Sequence, residues 1–254
     1  MTAHVLGDAG ALTGRSLRHI LRSPDTIITT AIMPIALMLI FVFVFGGAID
    51  TGTDEAYVSY LLPGILLITV ASGIAYTAYR LFLDMQGGIF ERFQSMPIAR
   101  SSVLWAHVLT SLVANVVSLG VVIGTAFALG FRTGASLGAW LAVAGILILF
   151  ALALTWIAVI AGLSAKTVDG ASAFSYPLIF LPFVSSAFVP VASMPGPIAW
   201  FAENQPVTSV VDAIRALFAQ QPVGAGIWVA LAWCAGMLLV AYGIAILVYR
   251  RRIR

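Results

Sequence analysis

The chain contains a single lysine, and its setting answers the first chemical question. Lys166 lies in Gly162-Leu163-Ser164-Ala165-Lys166-Thr167. A nucleotide-binding P-loop needs G-x-x-x-x-G-K-[ST], whose backbone amides cradle the phosphates while the lysine reaches them. Both required glycines are missing, and Ala165 stands directly before the lysine. The chain therefore does not bind ATP through a P-loop. The three histidines, His4, His19 and His107, have no carboxylate or cysteine at metal-ligand spacing. Neither H-E-x-x-H nor a G-x-S-x-G elbow occurs. His107 is expected to be an interfacial polar residue. Cys234, the only cysteine, sits in an apolar run, which gives it a packing role and leaves no disulfide framework. Catalytic and metal chemistry are thus unsupported, and no cofactor is expected in this chain.

The composition explains why. Hydrophobic residues make up 61% of the 254 and charged residues 9%, against about 45–50% and about 25% in soluble domains. Mean hydropathy is +1.05. Thirteen bases and ten acids cannot cover a water-soluble globule of this size. A cytosolic enzyme, a secreted disulfide scaffold and a disordered chain are excluded. The expected class is an all-α integral membrane protein.

Six stretches lack Asp, Glu, Lys and Arg: 26–49, 56–79, 101–131, 133–165, 170–202 and 216–249. Each exceeds the roughly 20 residues a helix needs to cross the hydrocarbon layer. Spans are expected near 27–47, 57–80, 106–130, 138–163, 171–189 and 224–249. Continuous rather than alternating apolarity disfavours strands. With both termini cytoplasmic, eleven bases lie inside and only Arg132 and Arg215 outside, as the positive-inside rule requires. Tyr57, Tyr60, Tyr76, Tyr79, Trp105, Trp140, Trp228 and Tyr249 form the expected interfacial aromatic belt. No cleavable signal is expected, because the first apolar run begins only after 25 residues. The middle of every span is free of ionisable groups. This argues against ion coupling and favours an amphiphilic or lipid-like cargo. Thr69, Ser72, Asn115, Ser118, Thr125, Thr155 and Ser185-Ser186 are expected mostly to join helices, and Gly120-x-x-x-Gly124 to permit close approach.

Three connecting segments are unusual. Residues 11–23 place Leu17, Ile20 and Leu21 on one side of a helix and Arg15, Arg18, His19 and Arg22 on the other. That pattern suits an interfacial helix, stopped by Pro24, that anchors to the membrane surface or also touches a cytoplasmic partner. The loop over 81–100 mixes Asp84, Glu91, Arg92 and Arg100 with Ile89, Phe90, Phe93, Met96 and Pro97. An apolar and charged knob of this kind marks a protein partner or a membrane-surface contact. The outer stretch 189–218 is broken by Pro190, Pro195, Pro197 and Pro206 yet stays apolar, as in a pair of short helices dipping into the outer leaflet. On the second of these, Asp212 and Arg215 stand three apart and can pair.

Three motifs carry a family resemblance. They are Arg18-x-x-x-Arg22-Ser23-Pro24 before a span with Pro34; Gly88-Ile89-Phe90-Glu91-Arg92 followed by Met96-Pro97-Ile98-Ala99-Arg100; and Met194-Pro195 followed by Asn204-x-Pro206-x-Thr208-x-x-x-Asp212-x-x-Arg215. Over its whole length the chain resembles permease subunits of ABC-2 (type V) exporters, and among them the daunorubicin/doxorubicin-resistance group. The resemblance implies one transmembrane domain over 1–254, in a plasma membrane, moving an amphiphilic drug or lipid outward. It implies a coupling helix within the loop at 85–99, in which Ile89, Phe90, Glu91, Arg92, Phe93 and Met96 contact a separate ATP-binding subunit. It implies a connecting helix with Arg15, Arg18 and Arg22, and an outer gate over 190–218 with Asn204, Pro206, Asp212 and Arg215. Two ATP-binding subunits carrying ATP and magnesium, and a second permease chain, identical or sister, would complete the transporter. An ion-coupled secondary exporter and a non-transporting membrane protein are the rival readings.

Overall fold

The computed structural model describes residues 24–47, 56–87 and 102–252. The interfacial segment at 11–23 and the loop residues Ile89 to Met96 lie outside them. Among the described residues every regular element is helical. Helix α1 (Pro24–Ile40) continues as a π-helical segment, Phe41–Phe45. Then come α2 (Tyr57–Gln86), α3 (Ser102–Ala128) and α4 (Leu137–Ser164). Two short helices, α5 (Val168–Ala173) and α6 (Ser175–Phe180), precede 3-10 turns at Leu181–Val184 and Val191–Ser193. Helices α7 (Gly196–Glu203) and α8 (Pro206–Phe218) lead into the long α9 (Gly226–Arg252).

Four helices, α2, α3, α4 and α9, are long and apolar enough to cross a membrane, and Ala31–Phe45 and Val168–Val184 form shorter apolar stretches. The span expected at 171–189 is therefore not one continuous helix. Pro177 and Pro182 remove backbone donors and crowd the preceding turn. Hydroxyls take up carbonyls at the breaks: Ser175 Oγ donates to Ser172 O at 2.7 Å and Ser185 Oγ to Pro182 O at 2.6 Å.

Helix α2 is the axis of the bundle. In its most apolar stretch 72% of residues are buried within the protein, against 17% for α9. Leu61, Leu62, Ile65, Leu66 and Ile68 are wholly enclosed by α1, α3, α4 and the segment from α5 to α8. The outward side chains of α9, among them Leu239, Val240 and Leu247, are apolar and exposed. In a bilayer that exposure costs little, because lipid tails are as apolar as leucine.

Close approach falls at glycines other than the expected pair. A Cβ on Gly64 would stand 2.5 Å from Ala187 Cβ, one on Gly73 2.5 Å from Asn115 Oδ1, and one on Gly162 2.9 Å from the Ala78 carbonyl oxygen. A Cβ on Gly120 or Gly124 meets nothing within 4 Å among the described residues, so the pair draws no described helices together. For three of the span hydroxyls the expectation of joining helices is corrected, while Ser186 does reach Asp212 on helix α8. Thr69, Thr125 and Thr155 donate to the carbonyls of Ile65, Val121 and Ala151 on their own helices. A hydroxyl four residues after a carbonyl reaches it without help from a neighbour.

Candidate functional site

Helix α8 is built to lie on the bundle with one polar flank. Pro206 opens it, where its missing N–H costs nothing and its fixed φ suits the first turn. Val207, Val210, Val211, Ile214 and Phe218 recur at helical spacing and are buried. This places Asp212 and Arg215 at the edge of the buried face.

Arg215 uses its fork of donors on three elements at once. One terminal nitrogen, Nη1, is 2.9 Å from Asp212 Oδ1. The other, Nη2, donates to Ser186 O at 2.7 Å and Tyr60 O at 3.2 Å. The guanidinium also sits 4.0 Å over the Tyr60 ring, a cation–π contact. Ser186 Oγ donates to Asp212 Oδ1 at 2.6 Å, so the carboxylate is held from both sides. The cluster joins the first turn of α2, the chain after α6, and α8. The Arg215 side chain is 23% exposed and that of Asp212 53%. A planar guanidinium suits this task, since a single ammonium could not address a carboxylate and two carbonyls in fixed directions.

Further ties surround the cluster. Tyr57 Oη donates to Phe188 O at 3.2 Å, and its ring stacks on Tyr60 with centroids 6.3 Å apart. Gln205 Nε2 donates to Val184 O at 2.6 Å, anchoring the start of α8 to the end of the broken segment. Thr133 Oγ1 donates to Phe218 O at 2.6 Å, and Gln220 Nε2 to Gly134 O, fastening the end of α8 to the loop between α3 and α4. Arg215 borders two cavities. One, of about 500 Å³, is lined by Glu203, Thr208, Ser209, Asp212 and Gln221. The other, of about 260 Å³, is lined by Ser59, Arg132 and Thr133.

The arrangement can hold elements together; it offers no nucleophile with a base beside it. Among the described residues no group of three or more His, Cys, Asp and Glu is placed to hold a metal ion. Of the four outer residues singled out in the sequence, Asp212 and Arg215 are brought together and Pro206 starts the helix that carries them. Asn204 is spent locally, donating to Trp200 O at 2.8 Å at the end of α7. Arg15, Arg18, Arg22 and the loop residues from Ile89 to Met96 lie outside the described residues.

Sequence reasoning missed Tyr60 and Ser186 as partners of Arg215, because backbone acceptors carry no sequence signature, and it missed the Gln205 side chain, whose acceptor is likewise a main-chain oxygen. It also left His107 as a lone interfacial polar group. In the structure His107 Nε2 lies 3.0 Å from Asp84 Oδ2. The two residues stand 23 positions apart in no motif, so only the packing of α2 against α3 brings them together.

Comparison with known proteins gives the chain a family. Residues 8–219 match the family profile described as ABC-2 type transporter. The daunorubicin resistance ABC transporter permease protein DrrB1 of Streptomyces coeruleorubidus is 30% identical over 239 residues, covering 90% of this chain and 81% of that protein. The probable doxorubicin resistance ABC transporter permease protein DrrC of Mycobacterium tuberculosis is 27% identical over 242 residues, covering 94% of this chain and 87% of its own length. With four helices able to cross a bilayer and a match spanning most of its length, the chain is an integral membrane protein that belongs to the ABC-2 type transporter family.

Proposed function

We propose that the chain is the membrane-spanning subunit of an ATP-driven exporter that moves an amphiphilic drug or lipid-like molecule out across the plasma membrane. The observation that carries this reading is the similarity, over nine-tenths of the chain, to a permease of daunorubicin resistance. The missing P-loop and the absence of ionisable residues from the middle of the spans support it. ATP and magnesium belong to a separate subunit, present in two copies beside two permease chains. In this reading the chain has six spans, with Ala31–Phe45 and Val168–Val184 within the first and fifth, and both termini are cytoplasmic.

In this reading the mechanism runs from the cytoplasmic loop to the exit. Closure of the ATP-binding subunits pushes on Ile89, Phe90, Glu91, Arg92, Phe93 and Met96, flanked by the connecting helix of Arg15, Arg18 and Arg22. The push moves α2, the axis of the bundle. At its far end α2 is tied through Tyr60 to Arg215, so α7 and α8, the outer re-entrant pair, shift with it and open or close the exit.

Co-purification of the tagged chain from its native membrane in mild detergent tests this directly. A P-loop ATPase should accompany the chain in near-equal amount and be lost in Phe90→Asp or Glu91→Arg. A chain that purifies alone, and whose transport survives ATP depletion but collapses with an uncoupler, would instead be a secondary exporter.

A further inference from the structure

Helices α2 and α3 are the two limbs that carry the cytoplasmic loop, and they are fastened together by polar contacts in register. Nearest the loop, His107 Nε2 lies 3.0 Å from Asp84 Oδ2. The His107 side chain is 16% exposed and that of Asp84 33%. One step further from the loop, Thr77 Oγ1 donates to Ser111 Oγ at 2.7 Å, with both residues buried. A further step on, Asn115 packs against Gly73 and donates from Nδ2 to Ser111 O at 3.0 Å. On α2 the positions 73 and 84 are separated by three helical turns to within about 20°. All these contacts therefore lie along one seam. Leu81, Leu104 and Val108 fill the space between them and are fully buried.

The seam also has an outlet. Gly162 of α4 lies against Ala78 and Leu81, so closely that a Cβ there would be 2.9 Å from the Ala78 carbonyl oxygen and 3.2 Å from Leu81 Cβ. A displacement of the fastened limbs is thus handed to α4, and from α4 to α9 through Trp156 and Tyr242, whose rings meet edge to face at 4.8 Å.

We propose that Asp84 and His107, backed by Thr77 and Ser111, are positioning residues for transport, locking the two limbs of the cytoplasmic loop into a single lever. Resting on the exporter reading above, this assigns them the task of carrying a push on the loop into the bundle. Without the lock, the limbs splay and the push is absorbed at the membrane surface. ATP hydrolysis then continues while cargo movement stops.

The test is the ratio of cargo moved to ATP hydrolysed by the full complex reconstituted in vesicles, with a fluorescent amphiphilic cation as the cargo probe. Asp84→Asn and His107→Ala should each lower that ratio about tenfold, within the range by which coupling residues act. Bound ATPase should be unchanged. The exchanged pair, Asp84→His with His107→Asp, should restore most of the ratio, which a generic folding defect would not allow. Spin labels at Leu83→Cys and Leu109→Cys in a Cys234→Ala chain read the lock itself. Their distance distribution should broaden in Asp84→Asn and narrow again in the exchanged pair. Unchanged coupling in both single variants overturns the proposal, as does a loss that the exchange fails to repair. An unmodified chain that binds no ATPase overturns the exporter reading instead, while the label distances still decide whether the lock exists.

Discussion

The two ends of α2 are held by opposite strategies. At the Tyr57 end one cation, Arg215, gathers a carboxylate, two backbone carbonyls and an aromatic face from three separate elements. At the Gln86 end the work is divided among small pairwise contacts along one neighbouring helix, Asp84 with His107 and Thr77 with Ser111. A hub fails as a whole when its centre is removed. A seam loses strength one contact at a time. The Tyr57 end is therefore suited to being held in one arrangement or released from it, and the Gln86 end to staying closed under load.

The sharpest way to break this contrast is to remove the hub. Arg215→Leu leaves Tyr60 O and Ser186 O without its donation and strips the Asp212 carboxylate of its cationic partner, keeping only the Ser186 hydroxyl, at a cost on the order of 3 kcal/mol. It should produce the largest fall in detergent melting temperature of any single change described. Arg215→Lys should fall between, since it keeps the charge but loses the fork. A melting temperature within error of the parent in Arg215→Leu would mean that Arg215 is not the hub.

Next in size are the close approaches at each end. Gly64→Ala should destabilise by about 1–3 kcal/mol, the usual range for overpacking. Its obstacle is the Ala187 side chain, so Ala187→Gly should rescue it. Gly162→Ala should cost about as much, yet its first obstacle is a backbone oxygen of Ala78, which no side-chain change removes. Melting curves of the two singles and the Gly64→Ala, Ala187→Gly double decide this. Failure of that rescue would show that the outer junction is limited by backbone as well.

The smallest effect belongs to the seam. Thr77→Val leaves the Ser111 hydroxyl only the long 3.5 Å contact from Asn115 Nδ2 and should cost about 1 kcal/mol, whereas Thr77→Val with Ser111→Ala should be close to neutral, because that hydroxyl is removed with its partner. A double variant as damaged as the single would remove the seam's claim to be a set of independent pairs.

How far the sequence reached differs between the same two regions. The helical class and the four long spans followed from uninterrupted apolar runs. The Asp212–Arg215 pair followed from a three-residue spacing on one helix. What surrounds that pair did not, because Tyr60 and Ser186 contribute main-chain oxygens, and those are present at every position of any sequence. The broken segment was half legible: Pro177 and Pro182 were in view, but its apolar length favoured a continuous span. Asp84 and His107 stand 23 positions apart and belong to no motif. Only the pairing of two antiparallel limbs brings them within reach.

Gly120 and Gly124 give the geneticist an unusual handle. Among the described residues nothing lies within 4 Å of a Cβ added at either position, so Gly120→Ala adds its methyl group to open space and disturbs no packed neighbour. Its only intrinsic effect is a slight preference for the helix already there, about 1 kcal/mol in favour of alanine. A substitution so harmless to the isolated fold is a clean reporter. A defect that it causes in a living cell points to what the molecule touches there rather than to the packing of its described helices.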